Sequence, residues 1–521
     1  MSCFLLSARR SGQASSVLRK SWKWGVIFVW VGALSSLEGA ERARLNVLLL
    51  CIDDLKPVLG CYGDEQVKTP YLDRLASRSM LFEQAYCNLA VCAPSRISLF
   101  TGTQPSTLGI YNLSTPFRVA VPDAVSLAGY FLAHGWRTES VGKVMHDKFD
   151  HEDPVSWSVP HWYPPGGLAE YVYATAENRL RQSQAREDAA AGLKERRRRG
   201  AAVERADVAD TAYSDGLIAE ETIRRLRAAR GHSQQPFFIA AGFIKPHLPF
   251  CAPEKYWQLY EREAFVIPKM THFPEGTPDV ALSLSSELDG YAHIPHERPL
   301  PEALQRELIH GYYAAVSYMD AQVGRVLDEL DRLGLTEQTA IVVWGDHGWH
   351  LGDHGLWGKG TNLEEANRIP LIISVPGLTR PGSRTRALAE TVDVYPTLAD
   401  IAGLPLPKGP QPIEGKSLRP VLSQTGHSVK DAVFHSMART AADGKRVVGH
   451  AVRTERYRLV EWKAPGESVA SAKIELYDYH ADPGESRNLA GSEPHTVASL
   501  RSLLAAQPAP RPQVIAKNTV P

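Results

Sequence analysis

Three apolar runs in this chain end in residues of the kind that hold metals or move protons. Asp53 and Asp54 follow LNVLLLC at 45–51, Lys245 and His247 follow FFIAAGF at 237–243, and Asp346 and His347 follow AIVVW at 340–344. Carboxylates, an amine and imidazoles at the same end of separate runs are the makings of one site at one sheet edge. A fourth stretch carries a different chemistry. Cys92-Ala93-Pro94-Ser95-Arg96 precedes ISLFTG, and Pro94 sits near a helix start, which puts Cys92 at a helix N-terminus. The positive end of the helix dipole favours a nucleophile or a bound oxyanion there. Taken alone, such a cysteine also reads as a buried thiol or as half of a disulfide, and Cys87 is five residues away.

These residues need elements to hold them. The continuous apolar runs at 45–51, 237–243, 340–344 and 369–375 have the pattern of fully buried parallel strands. Helical patterns separate them: one opens at Thr69-Pro70, one covers about 215–230, and one covers about 304–333 with apolar spacing that allows a break. Strands alternating with helices predict an α/β domain, with a central, mostly parallel sheet and helices on both faces. Beyond about residue 400, Gly and Pro become frequent, and alternating stretches at 447–452, 457–462 and 474–479 predict antiparallel strands. The expected organisation is a catalytic domain at 41–405, a smaller C-terminal α+β subdomain at 406–505 and a tail at 506–521, poorly ordered from Pro508.

At 521 residues the chain can bury a large core. Lys+Arg and Asp+Glu number 58 each, so no global field draws nucleic acid, and anion recognition must come from a local cluster. One charged, alanine-rich stretch at 181–209 contains KERRRR at 194–199. It reads as a solvated helix or mobile loop, or as a basic rim that steers a polyanion. Near the start, Arg9, Arg10, Arg19, Lys20 and Lys23 precede an apolar stretch at 24–37, the pattern of a signal peptide over 1–40. The stretch is shorter than the roughly 20 apolar residues a membrane span needs. Export to the periplasm or the extracellular space is therefore expected, with membrane attachment only if this segment is retained. Six cysteines leave five after Cys3 is set aside, and an odd count in an exported protein implies another chemical fate for one of them.

The CAPSR stretch followed by TG resembles the signature of the type I, formylglycine-dependent sulfatases. GCYGDEQVKTPYLDRLA (60–76), GKVMH (142–146), KPHLPF (245–250), GDHGWHLGDHGLWGK (345–359), DVYPTLADIAGLP (393–405) and LYDYHADPGESRNLA (476–490) resemble the same family. GKVMH, KPHLPF and the DHG-rich stretch together are similar to its iduronate-2-sulfatase branch. The resemblance implies an alkaline-phosphatase-like fold and hydrolysis of sulfate monoesters on sulfated sugars, 2-O-sulfated uronic acids of polysaccharides being the first candidate. It implies that Cys92 is oxidised to formylglycine by a formylglycine-generating enzyme. Asp53, Asp54, Asp346, His347 and the modified residue 92 would hold one Ca²⁺. Three carboxylates are a hard oxygen set suited to that ion, with imidazole a less typical ligand.

The chemistry implied uses both hydroxyls of the hydrated aldehyde. One attacks sulfur in line and expels the alcohol; loss of the second proton re-forms the aldehyde and releases sulfate. Lys143 and Lys359 would clamp the sulfate, and Arg96 would orient the diol. His146 would lie beside the diol as a candidate base, and His247 would protonate the leaving alcohol, although the division of acid and base between them stays open. Open too are His350, Asp353 and His354, as pocket or loop support against a second metal site, and Trp349 and Trp357, as sugar platforms against packing. Two other classes share parts of the pattern. One is a phosphoryl or phosphonate monoester hydrolase on the same fold; the other is a sulfated-glycan-binding protein whose Cys92 stays a thiol or pairs with Cys87.

Overall fold

A computed structural model describes residues 44–146, 152–193, 198–232, 234–282 and 287–515. The expected signal segment lies outside them. The run from Val47 ends as strand β1 (Asn46–Ile52), which takes the middle of a mixed sheet. Its companions are β2 (Met80–Tyr86), β3 (Arg137–Gly142), β4 (Phe237–Phe243), β5 (Thr339–Gly345), β6 (Arg368–Ser374), β7 (Ser383–Thr385) and β8 (Ala389–Glu390). The order is β7-β2-β6-β5-β1-β4-β3, with β8 also on β2. Val47 lies level with Phe238 on one side and Ala340 on the other, both parallel.

Alternation along β1 divides the interior. Val47, Leu49 and Cys51 enter one core with Ile97, Phe131 and Leu398; Leu48, Leu50 and Ile52 enter the other with Leu72, Ile218 and Val316. A strand apolar on both faces must be covered on both. Helices α1 (Pro70–Ala76), α2 (Cys92–Thr101), α3 (Leu127–Ala133), α4 (Ala176–Ala190), α5 (Ser214–Arg230), α6 (Glu302–Arg332) and α7 (Val394–Ile401) follow in chain order. Of these, α2, α3 and α7 cover the first face, and α1, α5 and α6 the second. The expected layers are present.

Four details differ from expectation. The run at 369–375 becomes β6, antiparallel to both β5 and β2. A parallel return needs a crossover helix over the sheet, whereas residues 346–367 are occupied by site loops and short elements. Helix α6 is continuous over 31 residues, without the allowed break. The charged stretch is helical at its start, in α4, as one of its readings had it, but its end adds the strands Arg199–Ala201 and Val203–Ala206, which pair with Tyr291–Ala292 and Phe250–Pro253. The tail is held as far as residue 515, with Arg511 N donating to Ser106 O at 2.9 Å and Val514 N to Gly109 O at 2.8 Å.

A second sheet is a meander of β9 (Ala432–Thr440), β10 (Arg446–Thr454), β11 (Tyr457–Lys463) and β12 (Lys473–Asp478). Helix α8 (Pro494–Ala505) covers Val452, Leu459 and Leu476 with Leu500 and Leu504. Among the described residues, no helix is long and apolar enough to cross a membrane.

One contact ties the sheet to the site. Lys143 N donates to Gly242 O at 2.9 Å where the chain leaves β3, and a β-carbon on Gly242 would overlap the Lys143 carbonyl. Backbone atoms cannot yield as a flexible side chain does. Gly242→Ala is expected to lower stability by about 1–3 kcal/mol in denaturant unfolding. It should also displace Lys143, so turnover falls in the protein that remains folded.

Candidate active site

The parallel strands deliver the candidate site residues to one edge. Asp53 and Asp54 follow β1, Lys143 follows β3, Lys245 and His247 follow β4, and Asp346 and His347 follow β5. Two successive residues of a strand would point to opposite faces. Asp54 avoids this by adopting a left-handed backbone, φ 58°, so that both carboxylates reach the site. Aspartate tolerates that conformation better than most residues. Cys92 is the first residue of α2, which is buried throughout and ends at Gly102 with φ 66°.

Arg96, one turn into α2, is the central cation. Its Nε donates to Asp346 Oδ2 at 2.8 Å and its Nη2 to Asp53 Oδ1 at 3.2 Å. Its Nη1 donates to the carbonyls of Lys143 and Val144. Lys143 Nζ is 2.5 Å from Asp53 Oδ2, and Lys359 Nζ is 2.6 Å from Asp54 Oδ1. Burial pushes the Asp53 carboxyl up, but Lys143, His247, Arg96 and Lys359 together hold it well below the usual carboxylate range. Asp54 goes the other way, raised by burial and by Asp53 against Lys359. Asp346 Oδ1 accepts from the backbone N–H groups of Asp54 and His347, each at 3.0 Å.

The ligand atoms of Asp53, Asp54, Cys92 and His347 all lie within 4.8 Å of one another. His347 Nε2 is 3.3 Å from Cys92 Sγ, 3.4 Å from Asp54 Oδ1 and 3.6 Å from Asp346 Oδ1. Asp54 Oδ2 is buried with no hydrogen-bond partner. A buried carboxylate oxygen left so is costly unless a cation meets it, so the donor set fits a hard divalent ion. Burial and Asp53 push the Cys92 thiol up to about 11, with Lys143 and Lys359 pulling against them. As a thiol, Cys92 is therefore protonated near neutrality and a poor nucleophile.

The group opens into a pocket of about 1030 Å³, whose lining includes Asp53, Cys92, Lys143, His146, His247 and Lys359. Sequence reasoning missed Glu287 there. Its carboxylate is 3.5 Å from His247 Nε2 and 3.3 Å from Lys359 Nζ. It is held at about 2: burial opposes ionisation, and Lys359, His247 and Arg199 overcome it. A single glutamate at the start of a short 3-10 turn, Glu287–Gly290, carries no local pattern that could have announced it. His247 is lowered to about 3 by burial and then by Lys359, so its imidazole is neutral near pH 7.

Residues 45–404 match the family model described as Sulfatase, and residues 352–507 match N-sulphoglucosamine sulphohydrolase, C-terminal. The chain belongs to the sulfatase family. It is 34% identical to iduronate 2-sulfatase of Mus musculus over 536 residues, covering 88% of this chain and 94% of that relative. It is a sulfuric ester hydrolase of the iduronate-2-sulfatase-like kind. The solved structures it resembles have the alkaline-phosphatase-like fold. One, in complex with its substrate D-glucosamine-2-N,6-O-disulfate, has a TM-score of 0.67 at 21% identity, covering 89% of this chain and 97% of that one. Another, a phosphonate monoester hydrolase from Silicibacter pomeroyi, has a TM-score of 0.66 at 24% identity, covering 89% and 94%. Structural likeness at that identity speaks for the fold alone.

In this sulfatase the open assignments resolve by burial. Trp349 and Trp357 are core residues and do not line the pocket. His350 Nε2 meets Thr361 Oγ1 at 2.9 Å, His354 Nε2 meets Gly484 O at 3.0 Å, and Asp353 takes Lys56 Nζ at 3.3 Å. All three support loops, and neither group close enough to share an ion among the described residues includes them. Cys87 and Cys92 are both free thiols here. Arg96→Met would leave Asp53 and Asp346 short of their buried cation. It should cost about 3–5 kcal/mol in unfolding experiments, with sulfatase activity lost as well.

Proposed function

We propose that this sulfatase removes sulfate from sulfated sugars, with formylglycine at position 92 as nucleophile and one Ca²⁺ as cofactor. The observation that carries the reading is the convergence of Asp53, Asp54, Cys92 and His347 beside two buried lysines. Asp53, Asp54, Asp346 and His347 would hold the ion together with residue 92. When bound, calcium polarises the sulfuryl oxygens and favours the ionised nucleophile. The hydrated aldehyde offers one hydroxyl for attack on sulfur and a second whose proton loss lets sulfate depart. The raised thiol of the unmodified residue supports a modified one.

The remaining roles belong to side chains already in position. Lys143 and Lys359 bring two ammonium groups to the place where negative charge grows on the sulfuryl oxygens. Arg96 fixes the carboxylates and, through the Lys143 carbonyl, the backbone that carries that lysine. His146 and His247 both line the pocket, His146 as the candidate base for the elimination and His247 as the candidate donor to the leaving alcohol. The donor role requires the bound ester to raise His247, and a sulfate beside it acts in that direction by countering Lys359. A 2-O-sulfated uronic acid of a polysaccharide is the proposed substrate, from the likeness to iduronate 2-sulfatase. Export through the segment at 1–40 and maturation by a formylglycine-generating enzyme complete the reading, with catalysis assigned to 41–405 and support to 406–505.

Mass analysis of the peptide around position 92 should show one sulfur and two hydrogens replaced by one oxygen. An intact thiol from a host competent in this modification would sink the proposal. Cys92→Ser, produced without serine-modifying machinery, should lose nearly all turnover while keeping its thermal midpoint. Chelation should lower both activity and melting temperature, because a ligand of the native state stabilises it by mass action. Ca²⁺ should restore both, and restoration by Zn²⁺ but not Ca²⁺ would contradict the calcium assignment.

A further inference from the structure

The pocket carries more positive charge than one sulfate ester uses. Besides Lys143 and Lys359, its wall includes Arg198 and Arg199, from the end of the charged insertion. Several buried arginines elsewhere in this chain are matched to carboxylates, whereas Arg439 is held by the carbonyls of Ala438 and Gly360. Arg225 lies between Glu139 and Glu221, and Arg458 between Glu364 and Glu485. Arg198 and Arg199 form no such pair among the described residues. Arg198 donates to Ile294 O and meets His296 Nε2 at 2.5 Å. Arg199 donates Nη1 to the Tyr291 hydroxyl at 3.1 Å and stands 5.2 Å over that ring. Glu287, the nearest acidic influence on Arg199, is already shared by His247 and Lys359.

These guanidinium groups are also held in position. Arg199 and Ala201 pair with Tyr291 and Ala292. Ala201 N donates to Asn178 Oδ1 on α4 at 3.0 Å, and Gly200 packs so closely on Tyr173 that a β-carbon would overlap its ring. Cations preorganised on a pocket wall without carboxylate partners await an anion from outside.

We propose that Arg198 and Arg199 form a second anion subsite, taking a carboxylate or a further sulfate on the sugar that bears the scissile ester or on its neighbour. This rests on the reading of the pocket as a sulfated-sugar site. The planar guanidinium fork matches either oxyanion through two parallel hydrogen bonds. The ester sulfate sits over residue 92 beside Lys143 and Lys359, and the second anion meets the two guanidinium groups on the wall of the same pocket. The substrate class is thus a sugar with at least two negative groups.

The test measures binding by calorimetry in a Cys92→Ala background. No turnover is required, so its outcome is independent of the formylglycine assignment. Two pairs of probes are compared: a 2-O-sulfated uronate disaccharide with its carboxyl-reduced counterpart, and a disulfated glucosamine with a monosulfated one. The parent should prefer the doubly charged member of at least one pair. Arg198→Gln/Arg199→Gln should weaken that member by about 10- to 100-fold, the loss of a charge-assisted pair, and leave the singly charged member unchanged. Arg199→Lys, which keeps the charge, should recover part of the affinity and guards against a folding defect. Loss confined to the uronate pair assigns a carboxylate to the subsite; loss confined to the disulfated sugar assigns a sulfate. Equal weakening of both members of each pair, no weakening, or a parent that does not discriminate would each overturn the proposal.

Discussion

Asp53, Asp54 and Asp346 meet at the carboxyl edge of β1 and β5, all excluded from water. Like charges brought together in a poorly polarisable interior repel strongly unless cations join them. The cations come from three other parts of the chain: Arg96 from α2, Lys143 from the end of β3, and Lys359 from the loop before β6. Much of the surrounding architecture follows from that need. Helix α2 is buried along its whole length because its first turn must bring residue 92 and Arg96 under the sheet edge. β3 and β4 approach closely at Gly242 because Lys143 must cross toward Asp53.

Lys359 is the most distant of the three from the sheet, and its loop is fastened from outside. Asn362 Nδ2 donates to Gly449 O at 3.1 Å, and Glu364 N donates to Glu485 Oε2 at 2.8 Å. Arg458 of β11 then joins Glu364 to Glu485 at 2.5 and 2.6 Å. The meander sheet therefore does more than add mass: it holds the segment that carries one of the site's lysines. On the other side, Lys56 ties Asp353 and Glu365, so the DHG-rich loop is pinned at both ends. His350 and His354 add to this anchoring through Thr361 and the Gly484 carbonyl.

Much of the site was legible because strand-end chemistry leaves a local mark. A continuous apolar run fixes where a buried strand stops, and polar residues just beyond it must lie at the sheet edge. Asp53, Asp54, His247, Asp346 and His347 were found in that way, and Cys92 through the helix start beside it. Lys143, His146 and Lys359 have no such mark; family resemblance alone singled them out. Glu287 escaped both routes, and Arg198 and Arg199 were marked only as part of the charged run at 194–199, with a basic rim as one of its readings. Each is a charged residue in irregular or insertion sequence, where solvation explains its type as well as function does.

The chain by itself determined the class of fold, the ends of the main strands, and the chemical types available to the site, because burial and periodicity act over a few residues. Tertiary structure decided the rest. It set β6 against its neighbours, since the chain there builds loops and has no crossover helix. It bound the tail to the segment at 106–111 through backbone hydrogen bonds that no side chain announces. It buried Trp349 and Trp357 and left the arginines of the insertion facing the pocket. Distance in space between residues far apart in sequence is a property of packing. Only the folded chain states which carboxylate each cation meets, and which cations are left without one.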